Sequence, residues 1–179
     1  VLLTENLSNI MQYICDMKIH RVPLAKEIEH VKAYVSIINM RFDDSITLEC
    51  CVEAPLLQVS ILKLTLQPLV ENAWSHGILP KDGHRGIIRI DAEVREEALI
   101  VTVTDDGVGI TPEKSRELNA QLSEVNYEAA DSEKGSGVAL KNVNNRIKLS
   151  DGPEYGLTLF PAEGGGCRVV MKVKRKQNE

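Results

Sequence analysis

Apolar residues recur along this chain at two spacings, one helical and one alternating, and the switches between them mark its elements. From residue 1 to about 20, Leu3, Leu7, Ile10, Ile14 and Met17 form one helical stripe. Arg21-Val22-Pro23 interrupts it, and Pro23 suits the first turn of a following helix. That helix is expected from Leu24 to about Arg41, with Ile28, Val31, Val35 and Ile38 buried and Glu27 and Glu29 near its positive end. Asp43-Asp44-Ser45 reads as a turn and Ile46 to Glu53 as a strand. Residues 1–41 are therefore expected to be a helical segment outside the main core, whose stripes pack on each other or on a partner's helices. Residues 42–179 are expected to form the main domain.

The stretch LTLQPLVENAWSHG, Leu64 to Gly77, is the richest in information. Leu62, Leu66, Leu69, Val70 and Ala73 give an apolar helical face, and Pro68 should start or kink the helix. Its polar groups, Gln67, Glu71, Asn72, Ser75 and His76, are short and rich in oxygen and donors, so a core is expected on one side and a ligand on the other. A plain solvated face is the alternative. Asn72 and Glu71 carry oxygen donors of the kind that a hard cation such as Mg2+ prefers. Further on, Ile88, Ile90, Ala92 and Val94 alternate with polar residues, Arg95-Glu96-Glu97 turns, and Leu99, Val101 and Val103 alternate again, as in an antiparallel hairpin. Thr111 to Lys134 is polar and weakly periodic, with a helix expected from Pro112 to about Leu122. A helix from Val138 to Leu149 and strands over Tyr155–Phe160 and Cys167–Val173, joined across Gly164-Gly165-Gly166, complete the chain. This order predicts an α/β fold, a two-layer sandwich with helices on one face of a mixed sheet, preceded by the helical segment.

Composition narrows the function. A net charge of −5 and 4% aromatic residues disfavour a nucleic-acid partner, which would want a basic footprint or stacking platforms. Cys15, Cys50, Cys51 and Cys167 have no metal-ligand spacing and are expected to be reduced and mostly buried. The sequence contains no apolar run long enough for a membrane span. It begins at Val1, already in a helical pattern, and is expected to be a piece of a longer protein.

Two further segments carry chemistry. TDDGVGI, Thr104 to Ile110, follows a buried strand; Asp105 can accept a hydrogen bond there, and Gly107 and Gly109 permit a tight turn and close backbone approach. A simple strand-ending turn explains this segment equally well. KGSGVALKN, Lys134 to Asn142, is a glycine-rich entry to a helix whose first-turn N–H groups could bind phosphate.

Taken together and in this order, the three segments resemble the GHKL ATPases, and among them sensor histidine kinases of the LytS/YesM type. LQPLVENAWSHG is similar to that family's N box, DDGVGI to its first glycine box and GSGVALKNVNNRI to its second. Upstream, LSNIMQYI and VPLAKEIEHVKAYVSIINMRF resemble the segment that joins the histidine-bearing helices to the catalytic domain. The resemblance implies that Asn72 is a Mg2+ ligand and that Asp105 accepts from the adenine amino group of ATP. Gly107 and Gly109 would let the backbone approach the nucleotide. Gly135, Gly137 and the N–H groups of Val138, Ala139, Leu140 and Lys141 would hold the phosphates beneath a mobile lid over residues 111–134. His76 would lie near the nucleotide and Glu71 near the metal or the attacking group. It further implies a homodimeric parent protein anchored in the inner membrane, this domain in the cytoplasm, and relay of phosphate to a response regulator.

The sequence departs from the family pattern at Ala139, where a third glycine is usual, at Ser75, where Lys is common, and at Gln12, where Arg is usual. No PHFLFN-like acceptor motif is present; His20, His30 and His84 read as surface residues. Pro68 stands where related hydrolysing ATPases place a catalytic Glu. A nucleotide-binding module that gates protein interactions, or a degenerate kinase domain, is the alternative function.

Overall fold

Strand β1, Arg21–Pro23, runs directly into helix α1, Leu24–Arg41. The computed structural model describes residues 20–123 and 138–176, so the expected first helical stripe lies outside the described residues. Pro23 is the helix N-cap with φ −55°, and the N–H of Leu24 donates to the Val59 carbonyl at 2.9 Å. Leu24, Ile28, Val31 and Val35 are buried, and Ile38 packs against them.

One expectation fails here. Helix α1 does not stand apart: its stripe joins the same apolar cluster as the sheet. The cause is a small second sheet. Strand β1 pairs antiparallel with β3, Ser60–Leu62, and pulls the start of α1 onto the domain. Strands of three residues are too short to show periodicity, which hid both from the sequence.

Strands β2 (Ile46–Cys51), β4 (Gly86–Arg95), β5 (Ala98–Asp105), β6 (Gly156–Pro161) and β7 (Cys167–Lys174) form the main sheet, in the order β2-β4-β5-β7-β6. The β2–β4 pair is parallel and the others antiparallel, so the sheet is mixed as expected. Ile88, Ile90, Leu99, Val101, Val103, Val169, Met171 and Val173 fill its inner face. Against them pack α1 and helices α2 (Leu66–Asn72), α3 (Pro112–Ser123) and α4 (Val138–Asp151). Arg89, Arg168 and Lys172 are exposed on the strands, in alternation with that buried set. Cys167 is buried, but Cys50 and Cys51, expected to be mostly buried, are exposed on the edge strand β2.

Helix α3 occupies the first half of the expected lid and is clipped to edge strand β6. The Asn119 side-chain amide donates to the Leu159 carbonyl at 2.8 Å and accepts from the Leu159 N–H at 2.9 Å. Ser115 Oγ donates to the same carbonyl at 2.8 Å. Asn119 thereby acts as a surrogate strand at the sheet edge. Residues 124–134 lie outside the described residues.

A buried ion pair ties β1 to the end of α4. Arg21 Nη1 donates to Asp151 Oδ1 at 2.7 Å, and Lys174 N–H donates to Oδ2 at 3.0 Å. Burial pushes the Asp151 carboxyl up, but Arg21, Lys174 and Ser150 outweigh it and hold its pKa below the ordinary value. A depressed folded-state pKa gives stability above the unfolded-state pKa that is lost as pH falls through the folded one. Arg21→Ala is expected to cost about 2 kcal/mol, because it leaves a buried carboxylate without its cation. Thermal melts should show that deficit at neutral pH and a smaller one in acid, as the Asp151 carboxyl of the variant takes up its proton.

Candidate functional site

Helix α2 is short, and its continuation is not α-helical. Leu66–Asn72 gives way to a π turn over Ala73–Ile78, closed by the Leu79 N–H on the Trp74 carbonyl at 2.8 Å. Pro68 sits in the first turn, where its missing N–H costs nothing. Leu62, read as part of the helix, belongs instead to β3. π turns are rare and concentrate at functional sites. This one follows Asn72 directly and carries Gly77 to the end of β5.

There Gly77 meets Asp105. A Cβ on Gly77 would lie 2.4 Å from Asp105 Oδ1, and one on Gly107 would lie 2.2 Å from the Gly77 carbonyl carbon. The Val108 N–H donates to the Gly77 carbonyl at 2.9 Å, which locks the two segments together. Gly166, in the loop between β6 and β7, closes a third side: its Cβ would fall 1.8 Å from the Asp105 carbonyl oxygen. Gly109 has φ +78° and lies against the Gly166 backbone, a conformation and a contact that both call for glycine.

Asp105 is 3% exposed. Its Oδ1 accepts from the N–H groups of Gly107 at 2.9 Å and Cys167 at 3.3 Å. Burial pushes the carboxyl above its ordinary pKa, and these two N–H bonds offset only part of that rise. The carboxylate is thus kept dry at a cost, with both of these N–H donors on one oxygen.

The polar face of α2 is divided in a way the sequence does not reveal. Gln67 Oε1 is hydrogen-bonded to His30 Nε2 of α1, a histidine expected at the surface that is instead buried between the two helices. The Tyr34 hydroxyl of α1 is pushed up to about 12, first by burial and then by the charge of Glu71. Gln67 thus faces α1, while Glu71 is exposed. Asn72 is half-buried, His76 is exposed, and Ser75 Oγ donates to the Glu71 carbonyl at 2.8 Å. Val138 and Lys141 are half-buried, Ala139 is exposed and Leu140 is in the core. Gly135 and Gly137 lie outside the described residues. Gly77 and Gly166 escape detection in the sequence, since one looks like a helix end and the other like a strand connection. A glycine at the close of each apolar element is the available signal.

A family model described as histidine kinase-, DNA gyrase B- and HSP90-like ATPase matches residues 58–177. The chain belongs to this ATPase family. A second model, described as histidine kinase, matches residues 2–46, so the two together take in both the α1 region and the nucleotide-binding domain. Sensor protein LytS of Oceanobacillus iheyensis is 36% identical over 126 residues, covering 70% of this chain and 20% of that protein. A sensor-like histidine kinase of Staphylococcus epidermidis is 30% identical over 169 residues, covering 94% of this chain and 31% of its own length. The chain thus spans under a third of the curated relatives it matches. The catalytic domain of the histidine kinase ThkA, in a nucleotide-free form, superposes with a TM-score of 0.62 at 16% identity, over 88% of this chain and 97% of that one. That likeness bears on the fold, which is the two-layer mixed-sheet sandwich of histidine kinase catalytic domains. Among the described residues no helix is long and apolar enough to cross a membrane.

Proposed function

We propose that this chain is the ATP-binding catalytic part of a sensor histidine kinase, which binds Mg-ATP and transfers the γ-phosphoryl to a histidine carried elsewhere. The Asp105 niche carries the reading. Oδ1 is held by Gly107 and Cys167, which leaves Oδ2 to accept from the exocyclic amino group of adenine. Gly77 and Gly107 let two backbone segments close directly around Asp105, where any side chain would intrude. Beside this niche, Asn72 offers an amide oxygen for Mg2+, an ion normally held by one or two protein oxygens together with substrate phosphates. When bound, Mg2+ neutralises phosphate charge.

Glu71 and His76, flanking Asn72, are the groups of this segment assigned to the reacting end. Gly135, Gly137 and the N–H groups of Val138 to Lys141, at the start of α4, are assigned to the phosphates. In the intact protein the phosphoryl would pass to a response-regulator aspartate, within a homodimer anchored in the inner membrane and with this domain in the cytoplasm. One structural neighbour is ThkA in complex with the response regulator TrrA, and this supports the assignment by fold alone.

Calorimetric titration with ATP, with and without Mg2+, is the test. The wild-type chain should bind ATP more tightly with the ion. Asn72→Ala should lose most of that gain while keeping its metal-free affinity, a loss of roughly 10-fold in Mg-ATP affinity. A wild type that binds no ATP would refute the assignment.

A further inference from the structure

The entry to α2 is built from parts that lie far apart in the chain. A helix leaves its first N–H groups without intrahelical partners, and an N-cap Ser or Thr usually accepts from one of them. Here Thr65 is the N-cap, but its hydroxyl is committed as a donor to the Leu62 carbonyl at 2.7 Å. The cap comes instead from α1. Glu27 Oε1 accepts from the N–H of Leu64 at 2.8 Å, and Oε2 accepts from those of Thr65 and Leu66 at 2.9 Å each. Glu27 is fully buried. From the other side comes α4, whose Arg146 donates through Nη2 to the Lys63 carbonyl at 2.6 Å and through Nη1 to that of Leu64 at 3.3 Å. Between these clamps Leu64 sits at φ +57°, a left-handed conformation that a leucine adopts only when its surroundings impose it.

We infer that Glu27 and Arg146 are positioning residues for the nucleotide site, acting through the orientation of α2. The inference rests on the ATP-binding reading and extends it. Helix α2 spans only about 10 Å, so a tilt at Leu64–Leu66 reaches Asn72 almost undamped. The π turn that follows carries Gly77, which packs on Asp105. One rigid piece therefore holds both the metal ligand and a wall of the base niche. Its inclination is fixed by two others. One is α1, which lies within the segment matched by the second family model; the other is α4, which opens at the second glycine box. Glu27 also explains an anomaly of the α1 pattern, in which a carboxylate falls on the buried stripe of Leu24, Ile28 and Val31. The role its sequence position suggests, as a partner of its own helix's dipole, gives way to one on a helix 37 residues further on.

The test is ATP titration in the presence of Mg2+, well below the melting temperature of every protein compared. Glu27→Gln keeps the shape of the side chain but opposes an N–H with an amide donor, and Arg146→Lys keeps charge but loses the two-pronged geometry. Each should weaken Mg-ATP binding by about 5- to 30-fold, with the double variant falling short of the product because both act on one element. Val173→Ala, a core truncation in β7, should lower the melting temperature while leaving affinity within about twofold. If both clamp variants lower the melting temperature and leave affinity and Mg2+ dependence at the wild-type values, the residues are merely structural and the inference falls. Should Glu27→Gln fail to fold, Arg146→Lys, an exposed position, decides between the two outcomes alone. Absence of ATP binding in the wild type would overturn the nucleotide reading and this inference with it. Failure confined to the inference leaves the wild type binding ATP.

Discussion

Asp105→Asn is expected to lower ATP affinity by about 100-fold or more and to leave the unliganded protein at least as stable as the wild type. The asymmetry follows from the geometry. An asparagine carbonyl can replace Oδ1 and keep the bonds from Gly107 and Cys167. Its amide then takes the place of Oδ2 and presents a donor where the ligand also presents one. Binding loses an acceptor and gains a donor–donor clash, while the fold keeps its hydrogen bonds. Stability should move the other way, because the wild type ionises a buried carboxyl whose folded-state pKa is raised by desolvation. With a raised folded-state pKa, wild-type stability falls as pH climbs from the unfolded-state value through the folded one, then levels off. The neutral variant has no such slope. Melting temperatures measured from pH 3 to 8 should therefore coincide best at the acid end and separate in favour of Asp105→Asn toward neutrality. A variant that melts well below the wild type at pH 7 would show the carboxylate to be structural.

Gly107→Ala should cost about 3 kcal/mol or more and abolish nucleotide binding. The added carbon would lie 2.2 Å from the Gly77 carbonyl carbon and 2.3 Å from its Cα, and neither is the end of a side chain that can swing away. Relief requires the π turn and the end of β5 to part, which breaks the Val108–Gly77 hydrogen bond and opens the Asp105 niche. Chemical denaturation should give a lower midpoint, and calorimetry with ATP should give no heat. Retained binding at wild-type affinity would mean that the two backbones do not need to touch.

The elements that show a repeating pattern were legible in the sequence. Helix α1 begins and ends where Pro23 and Arg41 predict, and the β4–β5 hairpin turns at Glu96 and Glu97 as its alternation predicts. The order of N box and glycine boxes led to the family, and it was that resemblance, rather than the Asp-Asp-Gly turn by itself, that singled out Asp105. What stayed hidden depends on contacts between distant residues. Gln67 looks like a ligand group until α1 sets His30 against it. Glu27 looks like a dipole partner until α2 arrives with three N–H groups that its own backbone cannot satisfy. Gly166 gains its meaning from Asp105, far away in the chain. Strands β1 and β3 are three residues each, below the length at which any period can be counted.

The π turn over Ala73–Ile78 also fixes a length. A π turn holds one residue more than the α-helical turn it replaces, so it is an insertion accommodated without breaking the helix. Deleting one residue between Asn72 and Gly77 would let an ordinary helix run on, and would swing Gly77 by about 100° around the axis, away from Asp105. The spacing between Asn72, the proposed metal ligand, and the glycine is thus a matter of phase. Substitutions within this stretch can be absorbed one by one, whereas a change in its residue count cannot.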